Sequence, residues 1–284
     1  MSISFIIPAK DEAESIGDVV SAIGEAHPNA EILVVDDGSC DRTGAVAEVA
    51  GACAIRHPES LGNGAAVKTG ARAAKGDVLV FLDADGQHDP ADAARLLKKL
   101  ESGYAMCVGA RSAGSQANAA RLVANGIYNV VASAVTGHTI PDLTSGFRAV
   151  RADLFRKFLY LLPNGFSYPT TITMAFMRAG YPVAFVDIEA KQRKGKSHIR
   201  PVKDGIRFLV IIFKVATLYA PLKLFLPTSG IFFLTALGYY GYTYTTRGQF
   251  TNMSLLLFSA AVIIFLIGLI SEQITALNYK DSRP

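Results

Sequence analysis

A chain of 284 residues with a hydrophobic share of 50% has room for one domain of ordinary size plus a second part that is not soluble. Cys40, Cys53 and Cys107 are too few and too scattered for a disulfide framework or a zinc site, so they read as small buried residues of a reducing compartment. The net charge of +4 hides a split, with 9 Lys/Arg against 17 Asp/Glu in residues 1–110 and 19 against 7 in residues 111–284. An acidic half can hold metal ions, a basic half running into apolar segments suits an anionic membrane surface or a phosphorylated ligand, and no nucleic-acid partner is expected.

The apolar run of Ile3, Phe5, Ile6 and Ile7 is too short for a secretory h-region and lacks a basic n-region, so the first domain is expected to stay in the cytoplasm. Strand-like runs recur at Ile3–Pro8, Ile32–Val35, Ala54–His57, Val78–Leu82 and Met106–Val108, with helical stretches between most of them. Ile16, Val19, Val20 and Ile23 share one helical face, as do Ala93, Leu96, Leu97 and Leu100. This alternation predicts an α/β fold with a mostly parallel sheet. Ligands of such sheets bind beyond the carboxyl ends of the strands, where Asp36, Asp37, Asp83 and Asp85 stand.

Beyond Arg111 come longer helices, a strand near Val183–Ile188 and a basic loop from Lys191 to Arg200. Lys203, Arg207 and Lys214 form a stripe opposite Phe208, Val210 and Ile212, a pattern for a helix lying in the membrane interface or for a solvated face on a packed helix. Uncharged stretches of 23 and 24 residues separate Lys223, Arg247 and Glu272, each long enough to cross a bilayer. The expected organisation is a cytoplasmic domain over 1–200, an interfacial amphipathic helix over 201–222 and two transmembrane helices over 223–284. Only Arg247 lies between the spans, whereas cations flank both outer ends, which places both termini in the cytoplasm.

The Asp83-Ala84-Asp85-Gly86-Gln87 stretch directly follows an expected strand, so its two carboxylates project into a crevice where oxygen ligands suit Mg²⁺ or Mn²⁺ already held by a diphosphate. Asp-x-Asp also occurs in ordinary turns, and Asp11, Glu12 and Asp41 would serve equally as helix caps. The wider set decides between these readings. Pro8-Ala9-Lys10-Asp11-Glu12 follows the first strand and Asp36-Asp37-Gly38-Ser39 the second. Together these motifs resemble the inverting glycosyltransferases of family two with a GT-A (Rossmann-like) fold, and within them the dolichyl-phosphate mannose synthases and related polyprenyl-phosphate glycosyltransferases.

The resemblance implies that Pro8, Asp11, Glu12 and Asp37 hold the base and ribose of a nucleotide-sugar, while Asp83, Asp85 and Gln87 surround the metal and diphosphate. Asn63 of Leu61-Gly62-Asn63-Gly64 stands where relatives often have lysine, and Gly86 where the subgroup more often has leucine, implying a looser metal loop. Asp142-Leu143-Thr144-Ser145-Gly146-Phe147-Arg148 resembles the family's Asp-x-x-Ser-Gly-Phe-Arg segment, which implies a catalytic environment at Asp142 and Arg148 beside the sugar and acceptor. Arg111, Arg121, Ser145, Arg193 and Ser197 are the expected acceptor-phosphate contacts, with His198 in place of the family's lysine. The activity this implies is transfer of a GDP- or UDP-linked sugar to a polyprenyl phosphate at the cytoplasmic face of the membrane. Transfer to a lipid or polysaccharide hydroxyl, with Asp142 as base, and a non-catalytic nucleotide-sugar-binding scaffold are the alternatives; self-association is left open.

Overall fold

The computed structural model describes residues 1–111, 126, 129–130, 132–133, 136–165, 168–189, 213, 217 and 219–279. The chain divides into two compact units, one of residues 1–134 and 138–201 and the other of 135–137 and 202–283.

The first unit is a seven-stranded sheet in the order β3-β2-β1-β4-β6-β5-β7. Its strands are β1 (Ile3–Ala9), β2 (Glu31–Asp36), β3 (Cys53–Arg56), β4 (Val78–Phe81), β5 (Met106–Arg111), β6 (Arg148–Arg151) and β7 (Val183–Ile188). All pairings are parallel except those of β6, which runs antiparallel to β4 and β5. The mostly parallel α/β architecture is the expected one, and β6 is an addition to it. Its four residues, Arg-Ala-Val-Arg, are bracketed by charge and too short to show an apolar period.

Phe5, Ile6 and Ile7 of β1 are fully buried, as a central parallel strand covered on both faces requires. The helices around it are α1 (Ile16–Ala26), α2 (Thr43–Val49), α3 (Asn63–Ala73), α4 (Ala93–Glu101), α5 (Ala152–Lys157) and α6 (Tyr168–Arg178). Helix α1 buries Ile16, Val19, Val20 and Ile23, and α4 buries Ala93, Leu96 and Leu100 with Leu97 partly covered. Cys107 is buried within β5, but Cys40 and Cys53 are exposed, correcting the expectation that all three lie inside. Cys40 lies in the loop after β2 and Cys53 begins the edge strand β3, neither of which is covered there.

The second unit contains two antiparallel-connected helices of 27 residues, α7 (Pro221–Arg247) and α8 (Asn252–Asn278). Both are long and apolar enough to cross a membrane, and only 11% and 17% of their most apolar stretches are buried within the protein. They meet through small residues seven apart: Ser229, Ala236 and Thr243 on α7, and Ser254, Ala261, Gly268 and Thr275 on α8. Such residues let two backbones approach where no water drives association. Ser229 Oγ donates to the Ala261 carbonyl at 2.8 Å, and a Cβ on Gly268 would fall 2.7 Å from Phe225 Cβ. Large apolar side chains such as Ile231, Leu234, Leu237, Ile263 and Ile270 point outward instead.

Candidate active site

A cavity of about 330 Å³ opens beyond the carboxyl end of β1, which lies between β2 on one side and β4 on the other. Strand order reverses there, which is where open α/β sheets bind ligands. Its lining comes from the ends of three strands (Pro8, Ala9, Lys10 and Glu12; Asp37; Asp83, Ala84 and Asp85) and from the start of α3 with its preceding loop (Ser60, Gly62, Asn63 and Ala66).

The loops after β1 and β2 are fastened to each other. Asp11, at φ 54, is the one non-glycine residue of positive φ among the described residues, a conformation Asp tolerates better than most. It donates its N–H to Ser39 Oγ at 3.0 Å and accepts from the Cys40 N–H at 2.7 Å, while Thr43 Oγ1 and Asp41 accept from the N–H groups of Glu12 and Ala13. Asp11 is exposed and does not line the cavity; Pro8, Glu12 and Asp37 do.

Asp37 is 4% exposed and accepts four hydrogen bonds. Its Oδ1 takes His57 Nδ1 at 2.8 Å and the Leu61 N–H at 2.9 Å, and its Oδ2 takes Ser60 Oγ at 2.9 Å and the Gly62 N–H at 2.8 Å. Burial raises the carboxyl pKa, but the bonds from His57, Leu61, Gly62 and Ser60 outweigh it and hold Asp37 below the usual carboxylate range. These four bonds fill a carboxylate's acceptor sites, so Asp37 shapes the cavity through the 60–62 loop. His57, whose Nε2 lies 2.9 Å from Thr69 Oγ1, is a participant that sequence reasoning missed. Gly62, at φ +104, and Gly64 lie so close to the backbone of Pro163, Asn164 and Gly165 that any side chain would collide.

Asp83 and Asp85 stand in the loop that follows β4, on the cavity wall. Asp85 accepts the Gln87 N–H at 3.2 Å across Gly86, whose φ of 69° is one that glycine adopts freely; Gln87 itself is half-buried and outside the cavity lining. Among the described residues no three His, Cys, Asp or Glu side chains converge into a closed metal cage. Two carboxylates on an open wall are instead the donor set of Mg²⁺ or Mn²⁺, ions that share few protein oxygens with water and substrate phosphate, so the residues fit such an ion. His88, next in this loop, stacks on Phe147 at 5.3 Å between ring centroids, and its buried Nδ1 has no hydrogen-bond partner among the described residues. Burial, then the nearby charge of Arg111, pushes its pKa down to about 4, so the ring is neutral at pH 7.

Arg111, at the end of β5, forms a two-pronged pair with Asp142 and reaches Thr144 Oγ1 at 2.7 Å with Nη2. Asp142 is 2% exposed and also accepts the N–H groups of Arg111, Thr144 and Ser145. Burial raises its pKa, and the Arg111 hydrogen bonds and charge more than reverse this, leaving it below the usual range.

Two further residues of this segment lie inside the unit. Arg148 is wholly buried, donating to the carbonyls of Ser145 and Pro169 and to Thr173 Oγ1 with its guanidinium over the Tyr168 ring, so in this structure it braces the segment from inside. Ser145 is also fully buried, its Oγ without a hydrogen-bond partner among the described residues. Arg121, Arg193 and Ser197, and the stripe of Lys203, Arg207 and Lys214, lie outside the described residues.

Residues 4–159 match the sequence model for glycosyl transferase family 2. The chain belongs to that family. Residues 220–277 match the GtrB C-terminal hairpin, the pair α7 and α8. Among relatives of this family-two chain, glycosyltransferase AglJ of Haloferax volcanii is 28% identical over 99% of the chain and 96% of its own length. The polyprenol monophosphomannose synthase of Mycolicibacterium smegmatis is 32% identical over 74% of the chain and 84% of its own. An undecaprenyl-phosphate mannosyltransferase of Micrococcus luteus is 30% identical over 68% and 87%. In fold, the chain is similar to glucosyl-3-phosphoglycerate synthase from Mycobacterium tuberculosis, solved with Mn²⁺ and UDP-glucose, at a TM-score of 0.61 and 22% identity over 74% of this chain and 76% of that one. The first unit therefore has the GT-A fold expected of it.

Proposed function

We propose that this glycosyltransferase moves a hexose, with inversion, from a GDP- or UDP-linked donor to a polyprenyl phosphate at the cytoplasmic face of a membrane. The observation that carries this reading is the switch-point cavity, where Asp83 and Asp85 stand beside the loop that Asp37 orders, in a family-two chain that continues into a GtrB-type hairpin. Relatives named for polyprenol and undecaprenyl phosphate supply the acceptor class.

In this reading Pro8, Glu12 and the Ser60–Gly62 loop hold the nucleoside, and Asp83 and Asp85, with Gln87, hold Mg²⁺ or Mn²⁺ against the diphosphate. When bound, such an ion offsets the charge of the departing diphosphate. Asp142 accepts from Nε and Nη2 of Arg111 and so orients the guanidinium that, in this reading, meets the acceptor phosphate. A phosphate monoester has a second pKa of about 6, so at neutral pH it attacks the anomeric carbon without a strong base. A hydroxyl acceptor would need one, and a carboxylate paired to Arg111 with a depressed pKa is poorly suited to that work.

Membranes containing the chain, given labelled nucleotide-sugars one at a time with undecaprenyl or dolichyl phosphate, should yield a labelled lipid that mild acid cleaves and EDTA-treated membranes fail to make. An acid-stable glycolipid would turn the reading to a hydroxyl acceptor. Tight nucleotide binding with no product under any pairing would turn it to a scaffold.

A further inference from the structure

We propose that Gly146 sets the position of the Asp83 carboxylate and is a positioning residue for the donor metal, a role that rests on the metal reading above. Its φ is not among the positive values, so backbone freedom does not require glycine here. Space does. A Cβ on Gly146 would fall 2.6 Å from Asp83 Oδ2, 2.9 Å from Oδ1 and 3.1 Å from Cγ, distances at which one partner must move.

The partner that moves is the carboxylate. The backbone around Gly146 is pinned on several sides: the Tyr168 hydroxyl donates to the Gly146 carbonyl at 3.3 Å, Arg148 holds the Ser145 carbonyl, and the Gly109 N–H donates to the Phe147 carbonyl at 2.9 Å. Phe147 is fully buried and stacked on His88, in the loop that carries Asp83 and Asp85. The atoms a Cβ would meet on Asp83 are the far end of a side chain on the cavity wall, which turns about single bonds, whereas Gly146 can yield only by moving backbone. Oxygen ligands of Mg²⁺ sit at about 2.1 Å in near-ideal geometry, so a shift of even ~1 Å removes one. A methyl at position 146 therefore acts on metal binding more than on the fold. The Ser-Gly-Phe-Arg segment, otherwise buried structure, is thereby tied to the donor site.

The test is a two-residue cycle on the full-length chain in detergent, with Mn²⁺ binding followed by electron paramagnetic resonance in the presence of UDP or GDP, whichever the native chain binds more tightly. Gly146→Ala should weaken Mn²⁺ binding roughly 10–100-fold, the range seen when a residue that orients a ligand is changed, with the melting temperature of the metal-free protein near native. Adding Gly146→Ala to Asp83→Asn should weaken binding no further, because both act through one ligand. Native Mn²⁺ affinity in Gly146→Ala, or losses that multiply in the double variant, would overturn the proposal. If Gly146→Ala does not fold, Gly146→Ala in an Asp83→Ala background should, since the colliding atoms are gone; failure there also overturns it. Unchanged Mn²⁺ affinity in Asp83→Asn alone would instead sink the metal reading itself.

Discussion

Arg111 and Asp142 meet fork to fork, Nε 2.8 Å from one carboxylate oxygen and Nη2 3.1 Å from the other, with the Arg111 N–H as a third donor at 3.2 Å. Thirty-one residues apart in sequence, they join the end of β5 to the segment that passes Asp83. Asp142→Asn leaves a half-buried guanidinium without its counter-charge and should destabilise the first unit by about 3 kcal/mol at pH 7. Because the folded pKa of Asp142 is depressed, its contribution is fully present above the unfolded value of about 3.9 and is lost as pH falls through the folded value. The stability difference between native chain and variant, followed by melting from pH 7 down to pH 3, should thus narrow at the acid end. A constant difference would mean that the charge of Asp142 is not what holds the pair.

Asp37 offers a separate test of the donor side. Asp37→Asn replaces one acceptor oxygen with an NH₂ that cannot take the N–H of Leu61 or Gly62, so the 60–62 loop loses part of its anchor. Each charged hydrogen bond lost costs about 1.5–3 kcal/mol, and donor affinity should fall ~10-fold or more while the Michaelis constant for polyprenyl phosphate holds. Titration with the labelled nucleotide, alongside acceptor kinetics, checks this; equal losses on both sides would show a general collapse of the unit.

Among the described residues Lys10 is the only cation in the cavity lining, which it shares with Glu12, Asp37, Asp83 and Asp85. A nucleoside diphosphate entering that wall gains from each positive charge, and an exposed lysine contributes modestly in water. Lys10→Met should raise the donor Michaelis constant about two- to fivefold at low salt, with the effect shrinking as ionic strength rises. Lys10→Arg should keep most of the affinity. A salt-independent loss would assign the residue a packing role.

The central strands were legible because buried parallel strands are runs of Ile, Val, Leu and Phe ended by Asp, as Leu33-Val34-Val35-Asp36 and Val80-Phe81-Leu82-Asp83 are. Strand β6 and the inward turn of Arg148 were not, since a four-residue segment between arginines acquires its place only from β4 and β5. The residue types of the site were readable, but their pairings were not: nothing local in the sequence joins Asp37 to His57, Arg111 to Asp142 or Gly146 to Asp83. One signal lay in plain view. Ser254, Ala261, Gly268 and Thr275 repeat every seventh residue within an otherwise bulky apolar run, as Ser229, Ala236 and Thr243 do in the preceding one, and that period marks the face where α7 and α8 pack.

The hairpin sets the final prediction, that both of its outer ends lie in the cytoplasm with the catalytic unit. At 1.5 Å per residue, each 27-residue helix is about 40 Å long, enough to cross a ~30 Å hydrocarbon core with nearly two turns to spare. Exposed Tyr239, Tyr242, Tyr244 and Phe250 gather toward the connection, as interfacial aromatics do, and Arg247 is the only charge between Lys223 and Glu272. Lys223 stands at the opposite end, and in the sequence Lys203, Arg207 and Lys214 precede it while Lys280 and Arg283 follow α8. A protease site or thiol tag inserted at Gly248, which closes α7 at φ 63 and tolerates insertion in an exposed turn, should be reached only from the far side of sealed inverted vesicles. A reporter after Pro284 should be reached from the cytoplasmic side. Three lysines added beside Gly248 should lower the correctly oriented fraction and activity together, since an inverted chain would face away from its nucleotide-sugar supply. Labelling of the Gly248 tag from the cytoplasmic side in the native chain would defeat the topology.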